Sequence, residues 1–509
     1  MELTQVCAAG VEGVDGYPVT VEVSRATPGR GVGRTTMVGL PDVAVRESID
    51  RVTTALFAGG FSHSPSDHLV VNLAPADRRK EGPAFDLAIA LGLLATVPEN
   101  GVRLPASCLF AAELALDGSL RPVRGVLAMA QAAREAGCTR IMVAPEDADE
   151  AALMEDIIVH APENLRQAVL WLQNGLAKAP RVARRDLDEG APADHLDLSD
   201  VRGQDQAKRA LTIAAAGGHN LLFIGPPGSG KTMLARRLPG ILPPLSHEQA
   251  LEVTRIHSVA GLHDGRRGLH RQRPFRAPHH SVSAVGLVGG GSTPRPGEVS
   301  LAHHGVIFLD ELPEFPRRVL EHLRQPLEDG QLTISRAAGR LRFPSRCMLV
   351  AAMNPCPCGY LGHPVRACVD SADAIHRYRA HISGPLLDRI DCHLEVPAQP
   401  PEQVHAARPG PSSEEVRAQV RAARQGMLDR QGCANGDLVG RALQRHASPD
   451  QAGRELLHQA INELGLSHRA HDRILRVSRT IADLERSPSI SIDHVSEAIG
   501  YRLLDRSSL

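Results

Sequence analysis

Gly225-Pro226-Pro227-Gly228-Ser229-Gly230-Lys231-Thr232 is the stretch whose reading decides the fold of this chain. The apolar run Leu221-Leu222-Phe223-Ile224 precedes it, and Met233-Leu234-Ala235-Arg236-Arg237-Leu238, which reads as a helix, follows. Strand, glycine-rich turn, Gly-Lys-Thr and helix form the P-loop arrangement. The glycines let consecutive backbone N–H groups turn inward around phosphate oxygens. Lys231 is expected to reach the β- and γ-phosphates, with the Thr232 hydroxyl on Mg²⁺. The residues from Gly225 to Thr232 thus make the first half of a nucleotide site.

The second half lies downstream. Val306-Ile307-Phe308-Leu309 is short and wholly apolar, as a buried parallel strand should be, and it ends in Asp310-Glu311. Carboxylates at the carboxyl end of such a strand face the ligand crevice of an open α/β sheet. Asp310 is expected on the Mg²⁺ side, and Glu311 is the candidate base that polarises the attacking water. A third apolar run, Cys347 to Met353, ends in Asn354, whose amide can orient the same water. A lone Asn after a strand is usually a turn residue, but here it is the third polar tip in an ordered series. The expectation is an enzyme that binds and hydrolyses a nucleoside triphosphate.

Composition narrows the rest. The 509 residues suffice for two or three domains with full cores. A formal net charge of −1 gives no global basic field, so any nucleic-acid contact must come from local patches. Aromatics at 3 % argue against base stacking as the main mode of recognition. No run of eighteen apolar residues and no basic-then-apolar leader appear, and nine scattered cysteines suggest reduced thiols. A cytoplasmic protein with no membrane partner is expected.

Three regions are expected along the chain. Residues 1–176 mix short β runs (19–23, 68–73, 140–144) with helices (41–56, 85–94, and one running through 131–137). Residues 177–198, polar and mixed in charge, read as a linker. Residues 199–396 carry the nucleotide site. A proline-rich stretch opens the last region, 397–509, which reads as helical from 414 onward, with polar breaks near 432–437 and 487–491.

The P-loop, the Asp-Glu tip, Asn354 and Val201-Arg202-Gly203-Gln204 together resemble the AAA+ ATPases. More narrowly, the chain resembles the Mg-chelatase-like ComM/YifB family over nearly its whole length. The matching stretches are Val38-Gly39-Leu40-Pro41-Asp42, Val71-Asn72-Leu73-Ala74-Pro75-Ala76-Asp77, Phe275-Arg276-Ala277-Pro278-His279-His280, Ala352-Met353-Asn354-Pro355-Cys356-Pro357-Cys358-Gly359 and Ser383-Gly384-Pro385-Leu386-Leu387-Asp388-Arg389-Ile390-Asp391. The resemblance implies an α/β AAA+ core with a helical lid, using ATP and Mg²⁺ in a homo-hexameric ring. It also implies a role in branch migration during recombination and natural transformation, on single-stranded or branched DNA and beside recombination proteins. By position, Arg389 corresponds to an arginine finger that reaches a neighbour's γ-phosphate. Arg469 corresponds to the lid-borne second sensor, with Arg473 and Arg476 as close competitors.

The first region resembles the proteolytic domain of Lon, an α+β fold shared with the second domain of ribosomal protein S5. The match runs through Lys80-Glu81-Gly82-Pro83-Ala84-Phe85 and residues 118–127. Where Lon proteases carry the nucleophilic serine this chain has Ala84, and where they carry the activating lysine it has Leu127. Neither supplies a hydroxyl or an amine, so a Ser–Lys peptidase is excluded. A platform for ring assembly or DNA contact is expected instead.

Two acid-free clusters are candidate nucleic-acid contacts. Residues 265–297 hold Arg266, Arg267, Arg271, Arg273, Arg276 and Arg295, and residues 331–346 hold Arg336, Arg340, Arg342 and Arg346. The second reads as a β-hairpin turning through Ala337-Ala338-Gly339. In the Mg-chelatase and MCM-like branch that the chain resembles, these are places of pore-facing inserts. Guanidinia on a hairpin grip phosphates without reading sequence; the alternative is that they form interface ion pairs or solvated faces. Cys356-x-Cys358 with Cys368 invites a zinc reading, completed by Asp370 or His363, unless the site has decayed. The pairs His279-His280 and His303-His304 read as structural or interface residues. The leading expectation is a DNA motor. The rivals are a chelatase-type motor driven by a protein partner and a nucleotide-gated scaffold.

Overall fold

Alternating valines build the first long element. In β2 (Asp15–Ala26), Val19, Val21 and Val23 are buried while Thr20 faces out, and the strand pairs antiparallel with β1 (Glu2–Glu12), from Glu2 opposite Arg25 to Glu12 opposite Asp15. The computed structural model describes residues 2–26, 35–61, 68–183, 196–265, 268–291, 294–336, 339–400, 402, 409–502 and 504. The chain divides into two compact units, Met1–Gly190 with Ala250–His270, and Ala191–Gln249 with Arg271–Leu509.

The first unit is α+β. Its sheet continues with β3 (Thr35–Val38), β4 (His68–Ala74), β5 (Cys108–Ala111), β6 (Arg140–Val143) and β7 (Ile158–His160), in the order β3-β4-β2-β1-β5-β6-β7. Helix α1 (Val43–Ala58) starts where the Asp42 carboxylate accepts from Val45 N at 2.8 Å. Helix α2 (Asp86–Ala95) is apolar on every side and accordingly buried from Asp86 to Leu94. Ala84, 5 % exposed, and Leu127, fully buried in α3 (Val126–Glu135), belong to one apolar cluster with Leu109 and Ala111. Where a Ser–Lys pair would stand there is packed hydrocarbon. Residues 250–270, which lie between the glycine loop and Asp310-Glu311 in sequence, pack into this unit; the Glu150 carboxylate accepts from Leu127 N and from Ser258.

The second unit is a parallel α/β sheet with helices against it. Strands β8 (Leu221–Ile224), β9 (Phe275–Arg276), β10 (Val306–Leu309), β13 (Met348–Met353) and β14 (Cys392–Glu395) lie in the order β9-β10-β13-β8-β14, every pairing parallel. Between β10 and β13 the chain forms a separate hairpin, β11 (Gln331–Arg336) and β12 (Gly339–Pro344). Helix α4 (Asp205–Gly217) covers the sheet, and α5 (Lys231–Ala235) leaves the glycine loop. Helix α6 (Ala372–Arg379) follows β13, and α7 (Ser413–Gln431) opens with a capping box between Ser412 and Glu415. The lid continues through α8 (Gln451–Leu464), α9 (His468–Leu484) and α10 (Ile492–Gly500). Ala470, Ile474, Val477 and Ile481 recur on one face of α9 and are buried in the core shared with Leu221 and Phe223. No helix among the described residues is long and apolar enough to cross a membrane.

Candidate functional site

Register fixes where the polar tips stand. Ile224 pairs with Met353 and with Glu395, and Leu309 with Ala351, so Gly225, Asp310 and Asn354 emerge at one edge of the sheet. There the Thr232 hydroxyl donates to Asp310 Oδ2 at 2.7 Å. Lys231 Nζ donates to the carbonyls of Gly225 (2.6 Å) and Pro226 (2.9 Å) and to Asn354 Oδ1 (3.4 Å). Burial lowers the pKa of the Lys231 ammonium, against the raising fields of Asp310 and Glu311. Glu311 is exposed and takes the left-handed conformation, φ +54°, which bends the chain sharply after Asp310. The second Oδ of Asp310 accepts from Glu311 N at 3.0 Å.

The loop itself fits phosphate. A side chain on Gly225 would stand 2.1 Å from the Val396 carbonyl, so the chain can pass there only as glycine. Gly228 and Gly230 have positive φ, and a Cβ on either would meet nothing within 4 Å, which leaves an open cradle over the start of α5. The hydroxyl and carboxylate oxygens of Thr232 and Asp310 are hard donors of the kind Mg²⁺ takes. Gln204 has a part at the site that its place in the sequence does not reveal. Its Nε2 donates to Ser229 O (3.3 Å) and Pro397 O (2.9 Å), tethering the glycine loop to the exit of β14.

The arginines stand elsewhere. Leu221 pairs with Cys392, so Arg389, three residues before Cys392, lies at the edge where the strands begin. It is 7 % exposed, ion-paired with Glu328, and donates to Pro385 O at 2.7 Å. Arg473 is ion-paired with the buried Asp391 at the same edge, and Arg476 Nε is held by the Leu438 carbonyl at 2.7 Å. Arg469 is more than half exposed, with Asp388 4.0 Å away. Of the three lid arginines, Arg469 is the most exposed, and its ion pair is longer than that of Arg473.

The hairpin has two unlike faces. Leu332 pairs with Phe343, both buried, whereas Arg340 and Arg342, opposite Ser335 and Thr333, are exposed on the other face. The side chain of Arg336 and residues 337–338 lie outside the described residues. The earlier cluster is built differently. Arg276 makes a bidentate pair with Glu298 (2.6 and 2.8 Å). Arg273 donates to Pro243 O and His304 O, both at 2.6 Å, and burial lowers it to about 10. Arg295 is exposed, and Arg266 and Arg267 lie outside the described residues. His303 Nδ1 accepts from Arg346 N at 3.0 Å, and the His279 and His280 rings lie 4.0 Å apart.

A glycine loop after an inner parallel strand, with Asn354 at the end of the adjacent strand, Asp310 at the end of the strand beyond it and a helical lid in the same unit, defines a P-loop protein of the AAA+ class. The chain belongs to the Mg-chelatase-like ComM/YifB family of that class, which uses ATP and Mg²⁺. It is 45 % identical to the competence protein ComM of Haemophilus influenzae over 99 % of this chain and 98 % of the relative. It is 44 % identical to the YifB protein of Salmonella typhimurium at the same coverage. The family described as magnesium chelatase subunit ChlI matches residues 197–404, with further ChlI matches at 21–147 and, for its C-terminal part, 410–502. Two likenesses are partial. An archaeal Lon protease of Methanocaldococcus jannaschii is 32 % identical over 95 residues, 19 % of this chain. The DNA replication licensing factor Mcm2 of Drosophila melanogaster is 24 % identical over 202 residues, 35 % of this chain.

Proposed function

We propose that this protein is an ATP-driven AAA+ DNA motor, assembled as a hexameric ring, that migrates branched or heteroduplex DNA. The observation that carries the reading is the exposed face of the hairpin: Arg340 and Arg342 project from one strand with no acidic neighbour in the stretch 331–346. Such a face engages phosphates of any sequence, as a translocating motor must.

The chain's own residues divide the work. Lys231 and the backbone of Gly225 to Gly230 hold the phosphates, and Thr232 with Asp310 hold the metal, which supplies charge neutralisation at the phosphates when bound. Glu311 takes the proton of the attacking water, and Asn354 orients it. Arg389 supplies positive charge to the site of the adjoining copy, which makes hydrolysis depend on assembly, and Arg469 serves as the sensor carried by the lid. The first unit, with hydrocarbon where a peptidase would have its dyad, serves as a platform. The kinship with a competence protein and the partial likeness to a replication licensing factor support a role on DNA.

The test is an ATP-dependent branch-migration assay on a synthetic four-way junction, with Glu311→Gln as the inactive control. Conversion of the junction by the unmodified protein alone supports the reading; no conversion under any nucleotide condition contradicts it. The three ChlI matches favour a second reading, a chelatase-type motor acting on a protein partner. That motor would hydrolyse ATP without regard to DNA and respond to its partner instead.

A further inference from the structure

Between Asn354 and Ser371 the chain has neither helix nor strand, and Val365 and Val369 are 86 % and 84 % exposed. A loop this long and this poor in buried apolar surface needs something other than a core to hold one shape. In it three thiols converge. Cys356 Sγ lies 3.4 Å from Cys358 Sγ and 3.6 Å from Cys368 Sγ, and Cys358 Sγ lies 3.6 Å from Cys368 Sγ. These separations are far beyond a disulfide bond of about 2.0 Å. They are close to the edge of a tetrahedron with metal–sulfur bonds of about 2.3 Å, which is about 3.8 Å.

The fourth corner is filled by Asp370, whose Oδ2 is 3.7 Å from Cys368 Sγ; the four groups lie within 4.8 Å of one another. His363, the other candidate, is spent on its own turn, its Nδ1 accepting from Val365 N (3.1 Å) and Arg366 N (3.0 Å). The surroundings are those of an ion site. Leu361 N donates to Cys356 Sγ at 3.4 Å and Cys358 N to Asp370 Oδ2 at 2.8 Å, the outer hydrogen bonds that orient thiolate and carboxylate ligands.

We propose that Cys356, Cys358, Cys368 and Asp370 bind one zinc ion tetrahedrally and that the ion fixes the loop joining Asn354 to helix α6. Three thiolates select a soft or borderline ion, and the single carboxylate suits zinc rather than an iron–sulfur cluster. The loop borders the nucleotide site on two sides. Gly359 packs so closely on the glycine loop that a Cβ there would stand 2.8 Å from Pro227 Cδ, and Arg379 of α6 holds Pro355 O at 3.1 Å. The ion therefore positions Asn354 and supports Pro227 without touching a reacting atom. The metal claim stands whether or not the protein moves DNA.

The test is zinc content of the full-length protein, purified in reducing buffer without chelator and again after reconstitution with zinc and desalting. The expected result is about one zinc per chain. Cys368→Ser should lower it at least tenfold, and Cys433→Ser, outside the cluster, should leave it unchanged. Asp370→Cys keeps the four-ligand set, so it should retain zinc and, loaded with cobalt, strengthen the thiolate charge-transfer absorption. Chelation should raise hydrogen exchange in residues 354–371 and leave 413–500 unmoved. Zinc at background in both preparations with all thiols reduced would overturn the proposal. So would full zinc in Cys368→Ser, or a cobalt spectrum indifferent to Asp370→Cys.

Discussion

Lys231 and Arg389 stand at opposite edges of the same sheet. Lys231 follows the carboxyl end of β8 and Arg389 precedes the amino end of its parallel neighbour β14, with Leu221 opposite Cys392 and Ile224 opposite Glu395. Four residues of strand span about 13 Å. One chain thus presents the phosphate-binding half of a site on one edge and arginines on the other.

If Arg389 acts on an adjoining copy, two different inactive variants should rescue each other. Arg389→Ala alone is expected to lower kcat about 10³-fold or more, as loss of an arginine finger does. Mixed with Glu311→Gln it should regain activity, because some interfaces then pair an intact Arg389 with an intact Glu311. Steady-state ATPase across mixing ratios measures this; additive rates at every ratio would place the arginine's effect within its own chain.

The contact between Thr232 and Asp310 separates binding from turnover. Lys231→Ala should abolish nucleotide binding as read by a fluorescent ATP analogue. Glu311→Gln should keep binding and lose about 10²-fold or more in kcat, the usual worth of a general base. Asp310→Asn should raise the Mg²⁺ concentration needed for half-maximal rate. Equal loss of binding in all three would point to misfolding of the loop.

Arg340→Ala with Arg342→Ala removes two exposed charges and leaves the buried Leu332 and Phe343 face untouched. The slope of log affinity for single-stranded DNA against log salt should become shallower by about 1.4, two contacts at about 0.7 each. Fluorescence anisotropy over a salt series gives the slope, and an unchanged slope would remove the hairpin from the interface.

His219 is fully buried, and burial pulls it down to about 4, with Asp391 opposing. An unfolded histidine titrates near about 6.5. The stability it contributes is therefore complete above about pH 6.5 and is lost as pH falls toward 4, by up to about 1.4 kcal/mol per unit. His393, also buried and lowered, adds to the same slope. Denaturant midpoints of His219→Gln should fall less steeply than those of the unmodified protein below pH 6.5.

Continuous apolar runs made β8, β10 and β13 legible in the sequence, together with the polar residue that ends each. Strand β1 carries little local signal: Cys7-Ala8-Ala9-Gly10 lacks β-branched side chains, and the strand exists because it pairs along the whole of β2. Gly10 has a tertiary reason as well, since a Cβ there would stand 2.6 Å from the Tyr17 ring. A charge window shows only part of how an arginine is paired. The acid-free stretch ends at Gly297, and Glu298, the next residue, is the one that pairs with Arg276. Backbone carbonyls, invisible to any charge count, occupy Arg273. The separation of Arg389 from Lys231 depends on strand register, which local pattern does not encode.

The most direct measurement is the steady-state ATPase rate with and without single-stranded and branched DNA, for the unmodified protein and the Arg340→Ala/Arg342→Ala variant. The account expects strong stimulation by DNA that falls with salt and is lost in the variant while the basal rate persists. A protein that hydrolyses ATP at one rate regardless of DNA would contradict it.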